Sequence, residues 1–336
     1  MKANTKMSKK TVVITGALGF IGSHTAKAFK QAGYAVIGID ISCSNSSGIK
    51  YLDTYIKDDF ETMAAHAAKN SNAVAVIHIA GTSLVGPSIT NPGLYYDNNA
   101  AKTNKMLQTM HELGWHGTVV FSSSAAIYGN TFALPWDEYD IADPVSPYGR
   151  SKLMAETIIN DHCYAHGFKG IALRYFNACG CDANGELGNT ADDSHLVPKV
   201  VRSLVTKEKL VINGSDFDTE DGTCIRDYLH VTDIASAHLA AVNLAETLAT
   251  YTFNAYNLAT GTGTSNLSII HAVEKITGEK VNYSYGRARE GDPGTLIANP
   301  NRFMKLTDWK PVHSDLHNIV QTTYDWMKKL DYSIEN

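Results

Sequence analysis

Cysteine is scarce in this sequence, and its placement excludes a disulfide-stapled or zinc-ribbon fold. The 336 residues include only five cysteines, an odd number, and no two of them have Cys-x-x-Cys spacing. Scattered, unpaired cysteines are typical of proteins from a reducing compartment. We therefore expect free thiols and a cytoplasmic location.

Histidine pairs with metal-ligand spacing are present, but they lack the residues that metal catalysis needs. His162 and His166, and likewise His313 and His317, stand four residues apart. Neither pair has the adjacent glutamate of a zinc-protease helix, and solvated helix faces explain both pairs. We predict no metal site.

Clusters of positive charge and long apolar segments are also absent. The chain carries 29 Lys and Arg against 34 Asp and Glu, for a net charge of −5. Nucleic-acid binding and polybasic membrane contact both need a basic patch, and a membrane-spanning helix needs about 20 consecutive apolar residues. We predict neither a nucleic-acid nor a membrane partner.

The chain does contain the alternating apolar segments of an α/β protein. A β-branched run at 11–15 leads through a glycine-rich turn into a helical pattern at 20–32, and a second apolar run follows at 35–39. Further apolar runs lie at 73–79, 118–121 and 170–173, with helical segments between them. This alternation predicts a doubly wound, parallel Rossmann-type sheet covered on both faces.

The pattern loosens after residue 176, where loop-rich stretches separate short helices predicted at 196–206 and 234–249. We predict a first lobe over residues 1–176 and a second, smaller lobe over 177–336. Segments around 231–260 are expected to return to the first lobe.

The glycine-rich turn has the spacing of a dinucleotide site. Gly16, Gly19 and Gly22 permit a tight turn and close approach to a pyrophosphate at a helix N-terminus. Asp40, at the end of the second strand, can accept hydrogen bonds from a ribose and repels a 2′-phosphate, which favours NAD over NADP. The alternative is a plain βα turn with Asp40 capping a strand. Asp59 can hold the adenine or, almost equally well, cap the following helix.

A possible catalytic pair follows an N-terminal helix signal. Ser146 and a proline at the first helical position predict that Tyr148 and Lys152 share one helix face. Ser124, at the carboxyl end of a strand, can position a substrate oxygen. The alternatives are an exposed amphipathic pair on a surface helix and a turn serine.

Motifs along nearly the whole chain are similar to those of the extended short-chain dehydrogenase/reductases, and among them of the UDP-glucose 4-epimerases. The motifs are Thr15-Gly16, the runs at 77–81, 95–99 and 122–125, Ser146 to Lys152, and the runs at 174–177, 219–231 and 289–293. The last two runs distinguish epimerases from most relatives.

The resemblance implies an activity and a set of site residues. Bound NAD would take a hydride from sugar C4 while Tyr148 takes the O4 proton, and the 4-keto sugar would turn and be reduced on its other face. Lys152 would assist Tyr148, and Ser124 would bind the reacting oxygen. The implied NAD-binding residues are Gly16, Gly19, Phe20, Ile21, Gly22, Asp40, Asp59, Ala80, Gly81, Asn98 and Tyr175.

The second lobe would then bind the UDP-hexose. The implied residues are Asn177, His195, Leu196, Arg226, Arg289, Asp292 and Leu296. Two arginines far apart in sequence can hold a pyrophosphate through bidentate contacts. Surface ion pairs, and for His195 a helix cap, are the alternatives. The resemblance also implies a homodimer.

Ile41, Ser83 and Lys102 depart from the family pattern, and Ile41 follows Asp40 where asparagine is usual. Ser83 stands where many epimerases have a lysine that reaches the cofactor phosphates, so NAD retention is expected to be weaker. Lys102 replaces a common glycine. Leu296 occupies the position that gates the space beside the sugar 2-substituent, and its intermediate size predicts activity on UDP-glucose and UDP-galactose with some on N-acetylhexosamines.

Other functions remain open from the sequence. A UDP-N-acetylglucosamine or UDP-uronate 4-epimerase, or another sugar-nucleotide enzyme such as a decarboxylase, would use the same scaffold. A 4,6-dehydratase wants an Asp-Glu pair after the serine, where this chain has Ala125-Ala126. A dinucleotide-sensing regulator would not need Tyr148 and Lys152 together.

Overall fold

A seven-stranded parallel sheet forms the centre of the first lobe. The computed structural model describes residues 9–43, 45–129, 134–189, 195–288 and 293–330. Strands are numbered along the described chain: β1 (Thr11–Thr15), β2 (Ala35–Ile39), β3 (Thr54–Ile56), β4 (Ala75–His78), β5 (Thr118–Ser124), β6 (Lys169–Tyr175), β7 (Asn177–Cys179), β8 (Leu210–Asn213), β9 (Ile225–Arg226), β10 (Tyr228–His230), β11 (Thr252–Leu258), β12 (Thr264–Ser265), β13 (Tyr283–Gly286) and β14 (Thr295–Leu296). The order β11-β6-β5-β4-β1-β2-β3 confirms the predicted Rossmann-type fold.

Helices cover both faces of this sheet. They are α1 (Phe20–Gln31), α2 (Phe60–Ser71), α3 (Val85–Thr90), α4 (Pro92–Tyr96), α5 (Lys102–Glu112), α6 (Pro147–His166), α7 (Leu196–Thr206), α8 (Val231–Thr247), α9 (Asn266–Thr277), α10 (Asn301–Thr307) and α11 (Leu316–Lys329). Helices α1 and α8 pack on one face, and α2, α5 and α6 on the other. Along β6, Ile171 and Leu173 pack on the face covered by α1 and α8, and Ala172 packs on the face covered by α2, α5 and α6. This burial on both faces explains why the strands read as continuous apolar runs.

The second lobe contains short strands and its own core. Strands β12, β9 and β14 form one sheet, while β7 pairs with β10 and β8 with β13. Helices α7, α9 and α11 pack together through Val200, Val201, Ile269, Ile270 and Val320. The predicted helix at 196–206 has these bounds in the structure.

Two later segments lie against the first lobe. Helix α8 packs beside α1, and β11 pairs in parallel with β6 from Thr252–Lys169 to Leu258–Tyr175. The sequence predicted that α8 begins at residue 234, but the helix begins three residues earlier, at Val231. His230 caps it, because its side chain accepts a hydrogen bond from the Thr232 amide. The assignment of one ligand to each lobe stays a prediction.

No helix in the described ranges is long and apolar enough to cross a membrane. All five cysteines are free thiols; Cys43 is exposed and the other four are buried.

Buried neutral histidines make the fold sensitive to acid. Burial lowers the pKa of His24 and His238 to about 4, and that of His78 and His230 to about 3. The unfolded chain takes up these protons near pH 6.5, so stability is full above that pH and falls as the pH drops towards 4.

We expect each of these histidines to cost about 2 kcal/mol of unfolding free energy by pH 5, relative to neutral pH. Denaturant unfolding at pH 7 and pH 5 measures the loss. The exposed His317 provides the control, because His317→Gln should leave the pH dependence unchanged. Equal stability at the two pH values would contradict the expectation.

Candidate active site

The glycine turn between β1 and α1 is closed by backbone contacts that leave no room for side chains. A Cβ on Gly22 would lie 1.9 Å from the Gly16 carbonyl oxygen, and one on Gly16 would lie 2.9 Å from the Ala80 nitrogen. Gly16 also has φ +66°, in the left-handed region. Gly19 occupies the N-cap of α1 without a side-chain cap, so no cap side chain takes up the first-turn amides, and amides at a helix N-terminus suit an anion. This arrangement fits a dinucleotide pyrophosphate.

Asp40 is held against the same turn. One carboxylate oxygen accepts from the Leu18 amide at 2.9 Å and the other from the Ser42 amide at 3.0 Å. Its negative charge is therefore fixed beside the glycine turn, as the prediction of NAD over NADP requires.

Asp59 caps α2, as the helix-cap alternative for this residue predicted. Its carboxylate accepts from the Glu61 amide at 3.4 Å and pairs with Lys102 at 2.7 Å. The hydrogen bond that Lys102 donates to Asp59 raises the pKa of the lysine. The sequence did not reveal this ion pair, and a contact of Asp59 with adenine stays a prediction.

Two residues that the sequence analysis did not single out hold the segment after β4. The Thr15 hydroxyl accepts from the Ile79 and Ala80 amides, both at 3.2 Å. Asn99 accepts from the Thr82 amide at 2.7 Å and donates to the Thr82 carbonyl at 3.0 Å and to Ser151 at 2.9 Å. The Asn98-Asn99 motif marks this region in the sequence, but the family resemblance assigned a role to Asn98 and none to Asn99.

Gly81 is part of this segment, and Asn98 contacts it. Asn98 donates to the Thr82 hydroxyl at 2.8 Å. Gly81 has φ +154°, and a Cβ there would meet the Asn99 amide oxygen at 2.7 Å and the Lys152 ammonium at 3.6 Å. The predicted cofactor residues Ala80, Gly81 and Asn98 therefore lie beside the predicted catalytic lysine.

The catalytic residues come together at the carboxyl edge of the sheet. Helix α6 begins at Pro147, with the Ser146 hydroxyl accepting from the Gly149 amide at 3.1 Å, as predicted. The Tyr148 ring meets that of Tyr95 edge to face at 6.2 Å, and hydrogen bonding by the Ser124 hydroxyl acts to lower the pKa of the Tyr148 phenol. One turn later, Lys152 is buried and donates to the Ser122 carbonyl at 2.8 Å.

Burial shifts both titrating groups towards their neutral forms. Burial raises the pKa of Tyr148, and the hydrogen bond with Ser124 opposes the rise. Burial lowers the pKa of Lys152 to about 8, against the opposing charge of Glu156. At neutral pH the phenol is protonated and the lysine mostly charged. Ionisation of Tyr148 therefore needs added positive charge or a stronger hydrogen bond.

Tyr175 is almost fully buried, on the α1 and α8 face of the sheet. Its hydroxyl bonds with the Ser122 hydroxyl at 2.6 Å and with His238 Nε2 at 2.5 Å. Sequence reasoning gave no signal for His238, which lies inside α8 among apolar residues.

Strand pairing in the second lobe brings Arg226 and Leu296 together as register partners of β9 and β14. Asn177 donates to the Asp227 carbonyl from both its backbone and its side chain, each at 3.0 Å. Leu296 also packs against a cluster that includes Ala125 and Phe176, the residues directly after Ser124 and Tyr175.

The remaining predicted residues are less informative. His195 occupies the N-cap position of α7 without a side-chain cap, and Leu196 is the first residue of that helix. Arg289 and Asp292 lie outside the described residues.

Comparisons with known proteins agree with this geometry. Residues 12–259 match the model of the NAD dependent epimerase/dehydratase family. The chain is 35% identical to the UDP-glucose 4-epimerase of Lactobacillus helveticus, over 94% of this chain and 97% of that protein.

Two solved structures are also similar. The UDP-glucose 4-epimerase of Brucella ovis in complex with NAD has a TM-score of 0.88 and 37% identity, covering 94% of this chain and 98% of that one. The UDP-Glc/GlcNAc 4-epimerase of Campylobacter jejuni has a TM-score of 0.80 and 32% identity, covering 95% and 99%. The resemblance drawn from the motifs is confirmed.

The hydrogen bonds of Asn99 predict a stability difference between neighbouring residues. Asn99→Ala removes the acceptor of the half-buried Thr82 amide and the donor to the buried Ser151 hydroxyl, which keeps its bond to the Tyr148 carbonyl, and should cost about 1–3 kcal/mol of unfolding free energy. Asn98→Ala is the matched control; it removes one bond to a hydroxyl and should cost at most about 1 kcal/mol. Chemical denaturation measures both, and equal costs would contradict the role given to Asn99.

Proposed function

Because this chain belongs to the NAD dependent epimerase/dehydratase family and uses NAD, we propose that it interconverts UDP-galactose and UDP-glucose by transient oxidation at sugar C4. The observation that carries the proposal is the placement of Tyr148 and the buried Lys152 one turn apart on α6, with Lys152 bonded to the Ser122 carbonyl two residues before Ser124. The pair lies at the sheet edge where Rossmann-type folds bind ligands.

In this mechanism NAD, when bound, accepts and returns the hydride of the sugar. Tyr148 takes the proton of O4 and later gives it back, and the Ser124 hydroxyl holds that oxygen in place. A free phenol titrates near pH 10 and burial raises the pKa of Tyr148 further, so acting near neutrality needs its anion favoured by more than about 3 units, or about 4 kcal/mol. Lys152 supplies positive charge for this purpose.

The proposed cofactor site comprises the glycine turn between β1 and α1 and the segment after β4. Gly16, Gly19, Phe20, Ile21 and Gly22 would receive the pyrophosphate, and Asp40 the adenosine ribose. Asp59, Ala80, Gly81, Asn98 and Tyr175 complete the proposed set. The Gly16 and Gly22 contacts, which exclude any side chain, support this placement.

The second lobe would hold the UDP group. Arg226 and Arg289 would bind the pyrophosphate, Asp292 the ribose, and Asn177, His195 and Leu196 the remaining groups. The register pairing of Arg226 with Leu296 supports a pocket that joins the diphosphate to the hexose.

A second substrate class is favoured by Leu296. Its side chain is half-buried against the cluster beside Ser124 and is smaller than an aromatic residue. The Campylobacter jejuni relative is named for both UDP-Glc and GlcNAc. We therefore propose some turnover of N-acetylhexosamine nucleotides. A homodimer and a cytoplasmic location also belong to this proposal, and sedimentation of the purified protein tests the dimer.

Replacing the proposed acid/base group should stop turnover without unfolding the protein. Tyr148→Phe should lower the rate of UDP-galactose conversion at least about 100-fold, because a positioned acid/base group is lost. Tyr164→Phe is the matched control, since Tyr164 is 81% exposed on the same helix. Coupled measurement of UDP-glucose formation, with circular dichroism to check folding, compares them. Near-normal turnover by Tyr148→Phe would remove Tyr148 from the mechanism.

The size of residue 296 should control the choice of sugar. Purified protein is assayed without added NAD on UDP-glucose, UDP-galactose and their two N-acetyl counterparts. The native protein should prefer the first two, and Leu296→Tyr should lower N-acetylhexosamine turnover more than UDP-galactose turnover. Equal or greater native turnover of UDP-N-acetylglucosamine would refute the preference.

A further inference from the structure

Three buried polar side chains form a continuous hydrogen-bonded chain behind the active site. Ser122 of β5 bonds with Tyr175 of β6 at 2.6 Å, and Tyr175 bonds with His238 of α8 at 2.5 Å. The chain ends at the Ile234 carbonyl, which is 2.9 Å from His238 Nδ1. All three side chains are more than nine-tenths buried, so water does not compete for these bonds.

The direction of every bond in this chain follows from its last member. A carbonyl oxygen only accepts, so His238 Nδ1 carries the proton. Burial lowers the pKa of His238 to about 4, so the ring is neutral and Nε2 has no proton. The Tyr175 hydroxyl must then donate to Nε2, and Ser122 must donate to Tyr175. The only donor proton of Tyr175 is used, and its oxygen can only accept further bonds.

Tyr175 lies at the carboxyl edge of the sheet, where Rossmann-type folds bind ligands. It is the last residue of β6 and the register partner of Ser124. Burial raises the pKa of Tyr175, and the charge of Tyr148 adds to the rise. The reactive end of NAD carries one group with N–H donors, the carboxamide on its nicotinamide ring.

We propose that His238 is a positioning residue: it holds the Tyr175 hydroxyl as an acceptor for the carboxamide N–H of NAD. The inference depends on the NAD site proposed above and is independent of which sugar nucleotide is converted. The carboxamide would be held by its nitrogen, which fixes how the ring is turned above the substrate.

A cofactor analogue without the N–H group isolates this contact. In 3-acetylpyridine adenine dinucleotide a methyl ketone replaces the carboxamide, so the carbonyl acceptor remains and the donors are lost. The protein is equilibrated with NAD and the analogue together, and the bound nucleotides are released and quantified by chromatography. The ratio of bound NAD to bound analogue needs no catalytic activity and compares the affinities within one sample.

The native protein should prefer NAD. In His238→Phe the Tyr175 proton is freed to donate to the ketone, so the preference should fall about 2- to 10-fold, the range for one hydrogen bond. His238→Gln, which places an amide near the Nε2 position, should restore most of it. Tyr175→Phe should lower the preference by a similar factor, and adding His238→Phe to it should change the ratio no further.

Tyr175→Phe keeps the test decisive even if His238→Phe does not fold. An unchanged ratio in folded Tyr175→Phe overturns the inference, and so does a further fall when His238→Phe is added to it. Failure of the native protein to bind NAD at all would instead defeat the proposed cofactor site.

Discussion

The buried ammonium of Lys152 sets the conditions for the whole site. A lone charge in a protein interior is costly, and burial alone would drive Lys152 to its neutral form. The Ser122 carbonyl at 2.8 Å and the Phe121 ring face at 4.8 Å offset part of that cost. A lysine with a pKa of about 8 remains mostly charged at neutral pH, and within the described part of the chain it forms no ion pair with a carboxylate. It is therefore able to stabilise an anion that forms beside it.

Glu156, the carboxylate closest to Lys152 on α6, is bound by other side chains. Glu156 pairs with Arg174 at 2.8 Å and accepts from the Ser123 hydroxyl. Arg174 continues to the Tyr128 hydroxyl at 2.9 Å, and Tyr128 donates to Asn257 of β11 at 2.6 Å. Because the charge of Glu156 is balanced by the Arg174 guanidinium, Glu156 does not form an ion pair that would draw the Lys152 ammonium away from the Tyr148 phenol. The same network joins α6 to β5, β6 and β11, so the helix that carries Tyr148 and Lys152 is fixed at several points.

Local patterns predicted the elements, whereas contacts between distant segments could not be predicted. The β1 and β2 bounds, the start of α6 at Pro147 and the bounds of α7 depend on residues within a few positions of one another, and the sequence contains that information. Lys102 with Asp59, His238 with Tyr175, and Asn99 with Ser151 are 43, 63 and 52 residues apart. The residues that flank each of these side chains in the sequence do not indicate which distant residue it will contact. The catalytic residues were found because their spacing along one helix is itself a local pattern, and their roles stay predictions.

The ends of two neighbouring strands connect the proposed acid/base residues to Leu296. Ser124 and Tyr175 are register partners at the ends of β5 and β6, and the residues directly after the two strands, Ala125 and Phe176, enter one apolar cluster. Leu296 of the second lobe packs on that cluster. Close-packed interiors transmit a change of side-chain volume to their neighbours. A substitution at 296 that changes the side-chain volume therefore also presses on the supports of Ser124 and Tyr175. With the roles proposed for these residues, substrate range and reaction rate cannot be tuned independently at residue 296.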